Sequence, residues 1–237
     1  MTVREFIVEH ADGSREQRRF NLERGFNLGF TIRDEARMQA HLDEVVKEGV
    51  PRPSVDVPPI IFPISTWAWL TETSCPVQTT RTSGEVEIFM IDTEDELLVG
   101  VGSDHTDRDL ERQNIPWSKQ VAPNIVAPAV WRWSEIEAHW DECTLESFVW
   151  NQGERIPYQR ASVAEFWTPR EMVDSLEGRI PAARPRVLLS GTVVTLGHQL
   201  IYGDRWELRL YDPILKRAIE HSYSVTVLSE EIDDRAD

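Results

Sequence analysis

Five short runs, at 83–91 (SGEVEIFMI), 96–104 (ELLVGVGSD), 186–196 (RVLLSGTVVTL), 206–212 (WELRLYD) and 221–228 (HSYSVTVL), concentrate β-branched and apolar residues. Residues of this kind fit a pleated, half-buried surface, so the larger part of the chain is expected to be strand-dominated. At 237 residues it can bury a sizeable core, and β-rich units of this length commonly form one domain. No internal repeat or low-complexity tract appears, which excludes solenoids and propellers.

The remaining segments punctuate this frame. Residues 3–9 (VREFIVE) read as a strand, and Asp12-Gly13-Ser14 as a turn into a second one, which makes residues 1–30 a small N-terminal β appendage. From Arg33 to Gly49, Met38, Leu42, Val45 and Val46 recur at helical spacing, and Gly49 suits the end of an amphipathic helix. Five prolines between Pro51 and Pro63 argue against helix and central strand alike, so 51–65 is expected to be an extended surface crossing. Helix is expected at 133–150 (WSEIEAHWDECTLESFVW) and again at 169–178 (PREMVDSLEG).

A formal net charge of −16 with no basic run repels polyanions, so nucleic acid is excluded as an expected partner. A metal ion and a few basic groups can still reverse the field locally for a small anion. Cys75 and Cys143 stand far apart and outside any Cys-x-x-Cys pattern, which leaves no disulfide framework or thiolate zinc site and fits a reducing cytoplasm. No stretch approaches the ~20 apolar residues of a membrane span, and the first residues lack the apolar core of an export signal.

Two segments can carry chemistry. Alternation along a strand points Glu85 and Glu87 to the same face, where two carboxylates repel unless a proton or a cation lies between them. Hard divalent ions accept oxygen ligands of this kind; the pair also fits a solvent-facing strand edge. The second segment, VGVGSDHTDRDLE, runs from an apolar strand into a turn bearing Asp104, Asp107, Arg108, Asp109 and Glu111. Asp104 would complete a three-carboxylate face with positions left for water and substrate, although an acidic loop has the same composition. His41 and Glu44 lie three apart on the expected helix and share a face, so the carboxylate could orient the imidazole.

GEVE at 84–87, SDHTDRDLE at 103–111, SKQVAPNIVAP at 118–128, LLSGTVV at 188–194 and HLDE at 41–44 occur in the order found in the fumarylacetoacetate hydrolase superfamily, which the chain resembles over roughly residues 30–228. Members carry a Glu-x-Glu strand, an Asn-Asp-x-Ser-Ala-Arg-Asp-x-Gln turn, a downstream lysine, a Ser-Gly-Thr segment and, in several, His-x-x-Glu on a mobile helix. Ser103, His105, Asp107 and Glu111 depart from that pattern, so the polarity of the site must differ. With GFTIRDE and WRWSEIEAHWDE, the chain looks most like a bacterial branch catalogued as a domain of unknown function.

The resemblance implies an α+β fold: a β-rich, rolled, barrel-like mixed sheet of the superfamily's C-terminal-domain type with a few flanking helices. It spans 31–237, with the mobile helix at 31–50, and usually assembles as a homodimer. It makes Glu85, Glu87 and Asp104 ligands of Mg²⁺ or Mn²⁺, with Ca²⁺ as a further choice. Lys119, with His41 and Glu44, would be catalytic. Arg33, His105, Arg108 and Thr192 would face a small anionic keto acid, Arg108 alternatively being structural, His105 alternatively standing behind the ligands and Arg33 alternatively pairing with Asp34 or Glu35. Trp131, Trp133, Trp140, Trp150 and Trp167 are expected in packing rather than in a ligand cage.

The leading expectation is hydrolytic cleavage of a carbon–carbon bond in an acylpyruvate-like or β-diketo acid by a cytoplasmic enzyme, His41 and Glu44 activating water. Decarboxylation, tautomerisation or hydration of a keto acid is the first alternative. A non-catalytic metabolite-binding protein is the second.

Overall fold

Strands β8 (Val86–Asp92) and β9 (Leu97–Asp104) pair antiparallel at the middle of the largest sheet, Val86 opposite Ser103 and Asp92 opposite Leu97. Every residue of both is buried, which explains their nearly continuous apolar composition: both faces of the sheet are covered. The computed structural model of the chain describes residues 2–36, 38–39, 43, 46, 57–197 and 199–231.

Before this pair lie β1 (Thr2–Glu9), β2 (Arg15–Leu22), β3 (Arg24–Gly29), β4 (Ile60–Ile64), β5 (Trp69–Leu70), β6 (Ser74–Val77) and β7 (Thr82–Ser83). After it come β10 (Thr106–Asp107), β11 (Asn124–Val126), β12 (Ala129–Arg132), β13 (Thr144–Asn151), β14 (Glu154–Ser162), β15 (Arg186–Leu189), β16 (Arg205–Asp212) and β17 (Arg217–Val227). Short helices α1 (Arg108–Glu111), α2 (Ile115–Val121) and α3 (Pro169–Asp174) flank them. The large sheet runs β2-β1-β12-β9-β8-β15-β3-β4, with β11 joined to β9 and β5; a second sheet runs β14-β13-β16-β17-β6. β1 with β12 and β15 with β3 are parallel while most other pairs are antiparallel, so the expected mixed, curled, β-rich architecture with few helices is the one observed.

Alternation assigns the two faces of the large sheet. Val86, Ile88, Met90, Val99 and Val101 meet Trp206, Leu208 and Tyr223 of the second sheet in one core. Phe89, Ile91, Leu98 and Leu189 meet Phe6, Val8, Phe20, Leu22 and Trp69 in the other. Glu85 and Glu87 share parity with Phe89 and Ile91, and Asp104 shares parity with Leu98, so all three carboxylates emerge on the second face.

Several segments differ from the sequence expectation. Of the segment 1–30, expected as an appendage, strands β1, β2 and β3 pair into the large sheet, Ile7 N–H bonding the Pro128 carbonyl at 2.8 Å. The expected crossing at 51–65 contains β4, an outer strand that bonds only β3, the place in a sheet where Pro63 is tolerated. The expected helix at 133–150 is two 3₁₀ turns, Trp133–Glu135 and Glu137–Glu142, followed by β13. Leu145, Ser147 and Val149 are buried in alternation, and pairing with both β14 and β16 overrides local helix propensity. Only 169–174 of the second expected helix is α-helical, started by Pro169 and a capping box between Thr168 and Glu171. Of the five tryptophans singled out, Trp131, Trp133 and Trp140 are core residues and Trp167 packs against the same core, while Trp150 is half-buried and donates Nε1 to Glu207 Oε1 at 2.7 Å.

Because Ile88 is wholly buried where both sheets meet, Ile88→Ala is expected to lower unfolding free energy by about 2–5 kcal/mol, measured by urea denaturation against the parent.

Candidate metal centre

Beyond β8 the strand lapses at Gly84–Glu85 without a change of register, β7 pairing with β10 in step with β8 and β9, and the Glu85 carbonyl accepts from Asp104 N–H at 3.1 Å. A side chain on Gly84 would collide with the Tyr223 hydroxyl, 2.4 Å from the position its Cβ would take. Glycine therefore lets the second sheet close against this turn. The pairing brings carboxylate oxygens of Glu85, Glu87 and Asp104 within 4.8 Å of one another. Oxygens on opposite sides of a divalent cation with bonds of about 2.0–2.6 Å stand at roughly this distance, so the donor set fits such an ion in both chemistry and spacing.

Two cations enclose the carboxylates. Lys119, on α2, is buried and its Nζ donates to Asp104 Oδ2 and lies 3.9 Å from Glu85 Oε2, over the Phe62 ring at 5.7 Å. Helix α2 starts on an Asn114 cap with Pro116 in its first turn, and β11 behind it pairs with β9 opposite Asp104, which fixes Lys119 over the site. Arg108 donates through Nε to Ser83 Oγ at 2.7 Å and through Nη1 to Glu111 Oε2 at 2.8 Å, and Nη2 lies 3.0 Å from Glu85 Oε1. On the far side Gly191 N–H donates to Glu87 Oε2 at 2.9 Å. Gly191 has φ +94°, and an added Cβ would approach the Leu28 carbonyl to 2.9 Å, so only glycine presents that N–H comfortably.

The electrostatics follow from burial. Desolvation raises the Glu87 carboxyl well above its ordinary range, reinforced by Asp104 and opposed by Lys119; Glu85 is also raised by burial, against the pull of Arg108 and Lys119. Burial works against the Lys119 ammonium, but Asp104, Glu85, Glu111 and Glu87 outweigh it and hold that pKa above its usual value. Glu111 also resists burial: Arg108 and Lys119 keep its carboxyl below the usual range.

Of its two expected places, His105 takes the one behind the ligands and not the substrate-facing one. Its ring is wholly buried, with Nδ1 3.0 Å from the Tyr223 hydroxyl and Nε2 2.9 Å from Thr82 Oγ1, so neither nitrogen is free for a ligand. Burial, with Arg108 nearby, lowers its pKa to about 3, leaving it neutral. Tyr223 also meets Ser103 Oγ at 2.8 Å, and that oxygen accepts from Glu85 N–H at 3.1 Å, so the histidine braces the ligand turn from behind. Arg33 pairs bidentately with Asp141 at 2.8 and 2.9 Å instead of with Asp34 or Glu35. Thr192, next to Gly191, accepts from Gln159 Nε2 at 3.0 Å. His41 and Glu44 lie outside the described residues.

Sequence reasoning missed Gly191, whose Ser-Gly-Thr context was noted only for Thr192, and Tyr223, which has no local signature 119 positions after Asp104. It noted Glu111 as a departure without giving it a partner.

The fold matches the fumarylacetoacetate hydrolase C-terminal-domain type. By its sequence the chain belongs to the family described as "Protein of unknown function (DUF2848)", whose model matches residues 28–223. No curated protein matches it. Among solved structures it is similar to 2-keto-3-deoxy-D-arabinonate dehydratase, in an apo form at 14% identity and TM-score 0.62 over 89% of this chain and 77% of that one. The same enzyme complexed with magnesium and 2,5-dioxopentanoate gives 14% and 0.60 over 89% and 76%. Cg1458 with inhibitor gives 13% and 0.59 over 94% and 89%. No helix among the described residues is long and apolar enough to cross a membrane.

Glu87→Gln and Asp104→Asn are expected to weaken Mg²⁺ or Mn²⁺ binding in calorimetric titration by more than the ~10–100-fold that loss of an outer-shell partner costs, with near-parental far-UV spectra. Since Glu85 and Glu87 titrate above the ordinary range and must be ionised to bind a cation, affinity should fall as pH is lowered from about 8 to 5. Binding should release protons, read from the dependence of the heat on buffer ionisation enthalpy.

Proposed function

We propose that this chain is a divalent-metal-dependent enzyme acting on a small 2-keto acid. The carrying observation is the convergence of Glu85, Glu87 and Asp104 beside a buried lysine and arginine. When bound there, the cation supplies Lewis-acid polarisation of the substrate's keto oxygen. Glu85, Glu87 and Asp104 would hold it, with Gly191 N–H orienting Glu87. Lys119, kept as an ammonium by its four carboxylate neighbours, donates a hydrogen bond to the oxygen on which negative charge develops. Arg108 holds Glu85 and Glu111 in place through its fixed fork.

Of the reactions such a centre supports, addition or elimination of water next to the carbonyl is our first choice. Supporting it is a fold relative that is a keto-acid dehydratase, seen complexed with magnesium and 2,5-dioxopentanoate. Hydrolytic carbon–carbon cleavage of an acylpyruvate-like or β-diketo acid is the second reading and rests on His41 and Glu44. A homodimer belongs to either, Trp67 and Trp117 being exposed apolar surface that a second copy would cover.

Incubation of the Mg²⁺-loaded protein with a panel of 2-keto, 3-deoxy-2-keto and 2,4-diketo acids, followed by mass spectrometry, tests this. A product differing by one water supports the first reading, and two fragments that together gain one water support the second. Absence of turnover across the panel sinks both and leaves a metabolite-binding protein. If hydrolysis is found, His41→Ala should bind Mg²⁺ normally and lose ~10²–10⁴-fold in turnover; parental rates would remove His41 from the reaction.

A further inference from the structure

Among the described residues, a small set of charges interacts at this centre. Four carboxylates, from Glu85, Glu87, Asp104 and Glu111, act on Lys119, and the buried cations acting on them are Lys119 and Arg108. Arg112 stands exposed beside Glu111, paired with Asp109 at 3.1 Å. With all groups ionised, the set carries two more negative charges than positive, which one divalent cation cancels. Glu111 makes that balance neutral; without it the loaded centre would be positive.

Both buried cations are also ion-paired with carboxylates of the set, Lys119 keeping donors for the substrate oxygen. Arg108 spends Nη1 on Glu111, Nε on Ser83 and faces Glu85 with Nη2, while Lys119 bonds Asp104 and leans toward Glu85. A ligand with one carboxylate can satisfy it at the metal. A second carboxylate brought to the centre meets the like charge of Glu111, whose side chain is 17% exposed, and finds no buried cation among the described residues that is not already ion-paired.

We propose that Glu111 is a specificity-determining residue: by occupying Arg108 and neutralising the loaded centre, it restricts the ligand to an acid with a single carboxylate. This rests on the reading of the site as a divalent-metal centre for 2-keto acids. Like charges brought together across a binding surface are strongly disfavoured, so the restriction is a matter of charge and not of size.

The test uses two acids of equal chain length, 2-oxopentanoate and 2-oxoglutarate, titrated calorimetrically into the full-length Mg²⁺-loaded protein. The parent should bind 2-oxopentanoate at least ~10-fold more tightly than 2-oxoglutarate. Glu111→Gln, which removes the charge and frees Arg108 Nη1, should abolish or reverse that preference, whereas Glu111→Asp should keep it. An unchanged ratio in Glu111→Gln, a parent that prefers 2-oxoglutarate, or equal loss in Glu111→Asp would overturn the proposal and leave the functional reading intact. A parent that takes up no Mg²⁺, or takes it up and binds neither acid, overturns that reading and this proposal together.

Discussion

Holding three carboxylates together at the adjoining ends of β8 and β9 is the constraint around which this molecule is arranged. Ionised groups taken out of water are costly unless paired, and Glu87 and Asp104 are each only 1% exposed. The fold meets the cost with Lys119 from one element, Arg108 from another and the Gly191 N–H from a third. Each comes from a different part of the chain, so the site forms only when the large sheet, the α1–α2 turn and the segment after β15 are assembled together. A divalent cation would add the remaining positive charge.

The two-faced core explains why the turn stays in place. One face of β8 and β9 packs against the second sheet, and the other against the N-terminal hairpin and Trp69. The acidic residues lie at the edge of the second face, beyond Phe89 and Leu98, where the apolar packing gives way to α2. Behind them the Ser103–Tyr223–His105–Thr82 chain of hydrogen bonds ties the turn to β17 and β7. A neutral histidine suits that position: a third buried cation there would compete with Arg108 and Lys119 for Glu85.

The strands 2–9, 97–104 and 205–212 lie close to where their β-branched, apolar patterning placed them. Segment 144–151 did not read as a strand, because a tryptophan- and glutamate-rich context imitates helical spacing while its partners, β14 and β16, are remote in sequence or weakly patterned. Pro63 misled for a related reason: proline rules out a central strand, and only the strand order reveals that β4 lies at an edge. The supporting contacts of the site were equally hidden. Tyr223 and Gly191 act through spatial proximity, and the pairing of Arg33 with Asp141 spans 108 positions.

Sequence alone determined that Glu85 and Glu87 share a face, because strand periodicity is a local property of two residues two apart. It also determined, through motif order, that Asp104 and Lys119 belong with them. Only the tertiary structure decided that His105 turns away from the ligand side, that Arg108 is shared between Glu85 and Glu111, and that a glycine N–H completes the hold on Glu87. Those outcomes depend on which strands become neighbours and how closely their backbones approach, and long-range pairing of that kind leaves no periodic trace along the chain.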